Sequence, residues 1–183
     1  IDEDIANFNK IYEIIKNKKI DLVVVGPEQP LVDGIVDYLE SKNVLVFGPD
    51  KFASQLEGSK SFMKNLCKKY KIPTASFGSF DKIQNAIEFI KTNELPIVVK
   101  ADGLASGKGV SICFTVEEAI KNTKEILSGK FKSSNKVVLE EFLNGEELSY
   151  FVVVSKNSYK FFGTAQDHKK VGEGDKGPNT GGM

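Results

Sequence analysis

The chain has 183 residues, 40% of them hydrophobic and 27% charged, enough for one ordinary globular domain or two small ones. Its formal net charge is +0 and no apolar run approaches a bilayer span. Those two facts argue against a global field for nucleic acid or anionic lipid, and against a membrane helix. All 25 basic residues are Lys, so any phosphate must be held by ammonium groups and backbone amides rather than by guanidinium forks. Cys67 and Cys113 lack metal-ligand spacing and read as reduced structural thiols. With no signal-peptide pattern at the start, the expected compartment is the cytoplasm. The chain opens on Ile1, which predicts a longer or processed protein.

Ile5, Phe8, Ile11, Tyr12, Ile14 and Ile15 recur at helical spacing. An apolar strand over 22–25 follows, then a turn over 26–30. Leu31, Ile35, Val36 and Leu39 stripe a second helix, and 44–47 is another strand. Helix, strand, helix, strand with short connections predicts parallel strands in an α/β layer. Two strands alone make a poor sheet, so further partners are expected upstream of Ile1. A short helix is expected over 52–56 and a longer one over 60–70, broken by Pro73. Phe77 starts a segment leading to Asp81, the expected N-cap of a helix over 83–92. Thr115 and Glu118 form a capping-box pattern for a helix over 116–127. A strand over 137–139 leads into a polar crossover over 140–147. Residues 148–154 and 159–164 read as a hairpin turning at Lys156 and Asn157. From Asp167 onward the chain is polar and glycine-rich.

The stretch 96–110 organises these elements. A buried strand over 97–99 ends on Lys100, a loop with Gly103, Gly107, Lys108 and Gly109 follows, and 110–114 reads as the return strand. Glycines allow positive φ and close approach of the backbone, and successive free N–H groups can wrap an anion. A plain hairpin tip bearing lysines fits equally well. The loop is not a Walker A motif, because its glycines are one residue too close and a strand follows it. It is expected to be mobile without ligand.

The crossover Glu140-Glu141-Phe142-Leu143 could present a backbone donor and acceptor to an adenine edge, with Glu147 near ribose hydroxyls. An exposed acidic loop is the plainer alternative. Gly172, Gly174 and Gly177 satisfy G-x-G-x-x-G by spacing. No strand-to-helix turn surrounds them, so a dinucleotide fingerprint is rejected in favour of a flexible loop. The single histidine, His168, has no nucleophile elbow beside it.

Five blocks in order carry a resemblance: Gly26-Pro27-Glu28-Gln29-Pro30-Leu31, Leu56-Glu57-Gly58-Ser59-Lys60, the stretch from Val99 to Gly109, Glu140 to Glu147, and Gln166-Asp167-His168-Lys169 running on to Gly177-Pro178-Asn179-Thr180-Gly181-Gly182-Met183. Together they resemble the ATP-grasp fold and, within it, the phosphoribosylamine–glycine ligases of purine biosynthesis. Lys170 stands where that family usually has Arg.

The resemblance implies a fold that is α/β and α+β. Residues 1–58 would be the remnant of an amino-terminal α/β (pre-ATP-grasp) domain. Residues 59–183 would be the first part of an ATP-grasp domain, with a lid lobe over about 74–140. Lys60 and Lys100 would contact ATP phosphates, and Asp102, Gly103, Ser106, Gly107, Lys108 and Gly109 would close over them. Glu140, Glu141, Phe142, Leu143 and Glu147 would hold adenosine. Gly26, Pro27, Glu28, Gln166, Asp167, His168, Lys169, Pro178, Asn179, Thr180 and Gly181 would face the substrates glycine and 5-phosphoribosylamine. Mg2+ or Mn2+ would accompany ATP, with no metal ligands expected within these residues. The expected protein is a cytoplasmic monomer with no nucleic-acid or membrane partner. The competing readings are another ATP-grasp carboxylase or ligase, and a non-catalytic ATP-binding module.

Overall fold

The computed structural model describes residues 4–105, 109–131, 134–166, 170–174 and 176–179. The chain forms two compact units, Ile1–Phe142 and Leu143–Met183, each described by itself below. No helix among the described residues is long and apolar enough to cross a membrane.

The first unit begins with α1 (Phe8–Lys18), β1 (Val23–Val24), α2 (Glu28–Asp33), α3 (Ile35–Ser41) and β2 (Val46–Phe47). β1 and β2 pair in parallel, as helix–strand alternation predicts. Ile15, Ile35, Val36 and Leu39 are buried against Val23, Val25, Val44 and Val46 on one face. The other face leaves Leu22, Val24, Leu45 and Phe47 exposed. Two expectations fail here. The turn over 26–30 gives way at Glu28 to α2, which carries Pro30 in its first turn, where a missing N–H costs no helical bond. The single second helix is two helices, because Gly34 adopts φ 97° and its N–H closes α2 on the carbonyls of Pro30 and Leu31.

α4 (Gln55–Gly58) starts later than the expected 52–56 segment, with turns before it. α5 (Lys60–Tyr70) has the predicted bounds. Then come β3 (Phe77–Phe80), α6 (Ile83–Thr92), β4 (Ile97–Ala101), β5 (Val110–Cys113), α7 (Val116–Leu127) and β6 (Val137–Glu141). Lys82, not Asp81, occupies the N-cap of α6, and it makes no side-chain cap bond. The Thr115 hydroxyl does accept from the Glu118 N–H at 3.2 Å. The Glu118 carboxylate returns to the N–H of Phe114 at 3.0 Å, one residue earlier than a standard capping box.

These four strands form an antiparallel sheet in the order β3-β6-β4-β5. Residues on a strand alternate faces, so one face of the sheet sends Ile97, Val99, Ala101, Cys113, Val137 and Leu139 into a core with Ala86 and Ile90 of α6 and Ala119 and Ile126 of α7. The opposite face carries Phe77, Ser79, Val138, Glu140, Val98, Lys100, Val110 and Ile112, as the cross-strand register dictates. α5 reaches the β3–β6 half of that face through Ser61, whose hydroxyl lies 2.7 Å from that of Ser79.

In the second unit β7 (Leu148–Ser155) and β8 (Ser158–Gln166) pair antiparallel around the predicted turn, with Lys156 at φ 49°. β9 (Lys170–Gly172) and β10 (Lys176–Asn179) form a second antiparallel pair. The glycine-rich segment is therefore partly paired strand rather than wholly irregular, with Gly172 ending β9 and Gly174 following it with no strand-to-helix turn.

Candidate functional site

The uncovered half of the sheet's second face is the candidate site. β4 contributes Val98 and Lys100, and β5 contributes Val110 and Ile112 opposite them. Val110 and Ile112 are 45% and 47% exposed and form an apolar shelf on this face. Lys100 rises from the same face, its side chain 27% exposed, and donates to Glu140 Oε2 at 3.0 Å.

Glu140 corrects the expected crossover. It and Glu141 are the last residues of β6, and Glu140 is only 4% exposed rather than part of a solvated acidic loop. Burying a carboxylate needs compensation. Lys64, itself 3% exposed, forms an ion pair with the same Oε2 at 3.0 Å. Its ammonium also reaches Thr74 Oγ1 at 2.8 Å and the Ala75 carbonyl at 3.4 Å, and lies 5.7 Å from the centroid of Phe77. Glu140 Oε1 is buried with no hydrogen-bond partner among the described residues. An orphaned buried acceptor of this kind fits a ligand donor group.

Lys60 stands at the first position of α5, where it donates to the Gly103 carbonyl at 2.9 Å. Burial is the main cause holding its pKa below the ordinary 10.5. Asp102 and Glu57 oppose that shift, and the positive charge of Lys100 adds to it. Gly103 itself adopts φ 86°, the left-handed backbone that its loop position requires.

Asp102 is placed where it serves α5. Its carboxylate accepts from the Ser61 N–H and the Gly103 N–H, each at 3.1 Å, and from the Ser59 hydroxyl at 3.2 Å. A carboxylate at a helix N-terminus is favoured by the orphan N–H groups and the dipole there. This bond set ties the end of β4 to the start of α5, and so fixes Lys60 beside Lys100. Gly109 closes the loop: its carbonyl accepts from the Ala101 N–H at 2.7 Å. A Cβ at Gly109 would sit 2.7 Å from that of Ala105.

The structure thus brings together Lys60, Lys100, Asp102, Gly103, Gly109 and Glu140. Ser106, Gly107 and Lys108 lie outside the described residues. Glu141 accepts from the Ser76 N–H at 3.0 Å, which holds its carboxyl below the usual carboxylate range. Beside it, Phe142 helps line a cleft of about 290 Å³ with Asn93, Pro96 and Ile97. Gly26, Pro27 and Glu28 lie at the carboxyl end of β1 and the start of α2, the usual ligand end of a parallel α/β layer. Leu143, Glu147, Gln166, Pro178 and Asn179 belong to the second unit, and Asp167, His168, Lys169, Thr180 and Gly181 lie outside the described residues. Among the described residues no group of three His, Cys, Asp or Glu converges on a metal position.

Sequence reasoning missed Lys64, Ser59, Ser61 and the apolar shelf. The spacing of Lys60 and Lys64, one helical turn apart, was the available signal for Lys64.

The family profile of the phosphoribosylglycinamide synthetase ATP-grasp (A) domain matches residues 58–183, and that of the N domain of the same synthetase matches residues 1–57. The chain belongs to the phosphoribosylglycinamide synthetase family. It therefore joins N-domain residues to part of an ATP-grasp domain. A synthetase relative, the phosphoribosylamine–glycine ligase of Mesorhizobium japonicum, is 50% identical over 98% of this chain and 43% of its own. The Escherichia coli ligase of that name is 44% identical over 98% of this chain and 42% of its own. The crystal structure of phosphoribosylamine–glycine ligase from Thermotoga maritima superposes with a TM-score of 0.76 at 36% identity, over 92% of this chain and 42% of that one. The biotin carboxylase domain of Hydrogenobacter thermophilus 2-oxoglutarate carboxylase, 20% identical with a TM-score of 0.71 over 86% of this chain and 36% of its own, shares the fold alone. This chain spans about two fifths of the length of its synthetase relatives, 43% in the Mesorhizobium case.

Proposed function

We propose that the full-length protein joins glycine to 5-phosphoribosylamine at the expense of ATP, giving glycinamide ribonucleotide, ADP and phosphate, a step of de novo purine synthesis. The observation that carries this is that Lys60 of α5, bonded to the Gly103 carbonyl just past β4, and Lys100 near the end of β4 stand at the same strand end in a chain of this family. Two ammonium groups suit a polyphosphate. The apolar shelf of Val110 and Ile112 suits an adenine ring, and the orphaned Glu140 Oε1 suits its amino group.

In this proposal Lys60 and Lys100 hold the phosphates, and the loop carrying Gly103, Ser106, Gly107, Lys108 and Gly109 covers them. Asp102 positions Lys60. Glu141 and Phe142 flank the adenine, and Leu143 and Glu147 join the adenosine contacts on the family resemblance alone. The glycine carboxylate attacks the γ-phosphorus, forming glycyl phosphate and releasing ADP. The amine of phosphoribosylamine then attacks the acyl carbon and phosphate leaves. No protein nucleophile is required. Positioning and charge neutralisation supply the catalysis. Mg2+, or Mn2+ in its place, would supply further neutralisation of the phosphate charge when bound. Gly26, Pro27 and Glu28, with Gln166, Asp167, His168, Lys169, Pro178, Asn179, Thr180 and Gly181, are the proposed contacts to glycine and phosphoribosylamine. The proposed domain limits are 1–58 and 59–183, with the lid lobe at about 74–140. A cytoplasmic monomer is the proposed state.

Calorimetric titration of full-length protein with ATP and Mg2+ tests the nucleotide site. Lys60→Ala and Lys100→Ala should each weaken binding by about 1–3 kcal/mol, the range for a charged hydrogen bond. Unchanged affinity in both variants removes the site. Incorporation of labelled glycine into a ribonucleotide product tests the reaction.

A further inference from the structure

Among the described residues, Lys64 is the buried charged group that the proposed reaction does not use. It lies one helical turn after Lys60 on α5, yet it points away from the open face into the β3–β6 half of the sheet. Its ammonium pairs with Glu140 Oε2 at 3.0 Å and donates to Thr74 Oγ1 and the Ala75 carbonyl. Lys100, by contrast, has one described acceptor, the same Glu140 oxygen, and a partly exposed side chain. One carboxylate is thus shared by two ammonium groups, leaving the trio with a net positive charge.

We infer that Lys64 is a positioning residue that occupies the Glu140 carboxylate so that Lys100 keeps its charge for a nucleotide phosphate. The inference rests on the proposed ATP site. Without Lys64, Glu140 and Lys100 form a closed neutral pair in a low-dielectric setting, where opposite charges bind each other strongly. A phosphate must then compete with Glu140 for Lys100. With Lys64 in place, the carboxylate is already compensated from behind, and Lys100 can turn toward an anion without leaving a buried charge unpaired. Thr74 belongs to the same device, since its hydroxyl holds the Lys64 ammonium at 2.8 Å.

The test compares ATP with adenosine on full-length protein by calorimetry, with thermal melting to confirm folding. Lys64→Met should weaken ATP by about tenfold, as expected for losing much of one nearby charge. It should leave adenosine, which lacks phosphates, within about twofold. Thr74→Val, a near-isosteric change, should weaken ATP in the same selective way by a smaller factor. If Lys64→Met does not fold, Thr74→Val decides. Unchanged ATP affinity in the folded variant that decides the test overturns the inference, and so does an equal loss of ATP and adenosine, which marks Lys64 as a scaffold residue only. If wild-type protein binds neither ligand, the proposed ATP site fails instead, and the two failures are distinguishable.

Discussion

Lys60 donates its ammonium to the carbonyl oxygen of Gly103 at 2.9 Å. The first residue of a helix is thereby joined to the loop that follows β4, and a half-buried amine is held beside Lys100. Burial holds the pKa of Lys60 below 10.5, and the Lys100 charge pushes in the same direction. An anionic ligand favours the protonated form. ATP affinity should therefore be fully present below the lowered pKa and decline as pH rises through it, earlier than for an ordinary lysine. Lys60→Arg should flatten that decline, because guanidinium stays charged. Calorimetry across the alkaline range checks both. The same shift makes the unfolded chain bind more protons in the window between the lowered pKa and 10.5, so the Lys60 contribution to stability rises with pH there.

Asp102→Ala removes the acceptor for the Ser61 N–H, the Gly103 N–H and the Ser59 hydroxyl at the start of α5. Loss of such a cap leaves buried donors unpaired and should cost about 1–3 kcal/mol in denaturant unfolding. ATP binding should weaken as well, because Lys60 loses its anchor. A variant with wild-type stability contradicts the structural role given to Asp102.

Gly109→Ala places a Cβ 2.7 Å from that of Ala105 and 3.2 Å from that of Ala101. The loop must shift to accept it, and overpacking of this kind costs about 1–3 kcal/mol. Because the shift falls on the loop proposed to cover the phosphates, ATP affinity should fall too. Thermal melting and calorimetry on one preparation report the two effects.

Much of this fold is written locally. The helices Lys60–Tyr70 and Val116–Leu127 follow from short-range periodicity, and the β7–β8 turn from Lys156 and Asn157. The split at Gly34 was harder to read, because the apolar stripe runs through it and only the positive φ breaks the helix. The site was half legible. Lys60 and Lys100 stand out beside glycine-rich segments. Glu140 reads as a loop residue because five of the eight residues in 140–147 are polar or charged, and its burial depends on β6 lying between β3 and β4, a long-range fact. Lys64 is hidden for the same reason. Its one-turn spacing from Lys60 hints at a shared role, but its partners Thr74, Ala75 and Glu140 come from elsewhere in the chain, so that spacing does not show it to be buried.

The second unit exposes large apolar side chains along β7 and β8, including Tyr159 at 74% and Phe162 at 80%. A two-stranded hairpin is marginally stable, and contiguous apolar surface promotes association. The 183-residue chain should therefore scatter light increasingly as its concentration rises. Phe162→Lys should reduce that scattering. Equal scattering by the chain and its variant would show that the association arises elsewhere.

The most direct measurement follows ADP release by full-length protein with Mg2+ while each substrate is omitted in turn. ADP should form at full rate only when glycine and phosphoribosylamine are both present, in step with glycinamide ribonucleotide. Release that requires bicarbonate instead of glycine, or that proceeds equally without phosphoribosylamine, would contradict the ligase reaction proposed for this chain.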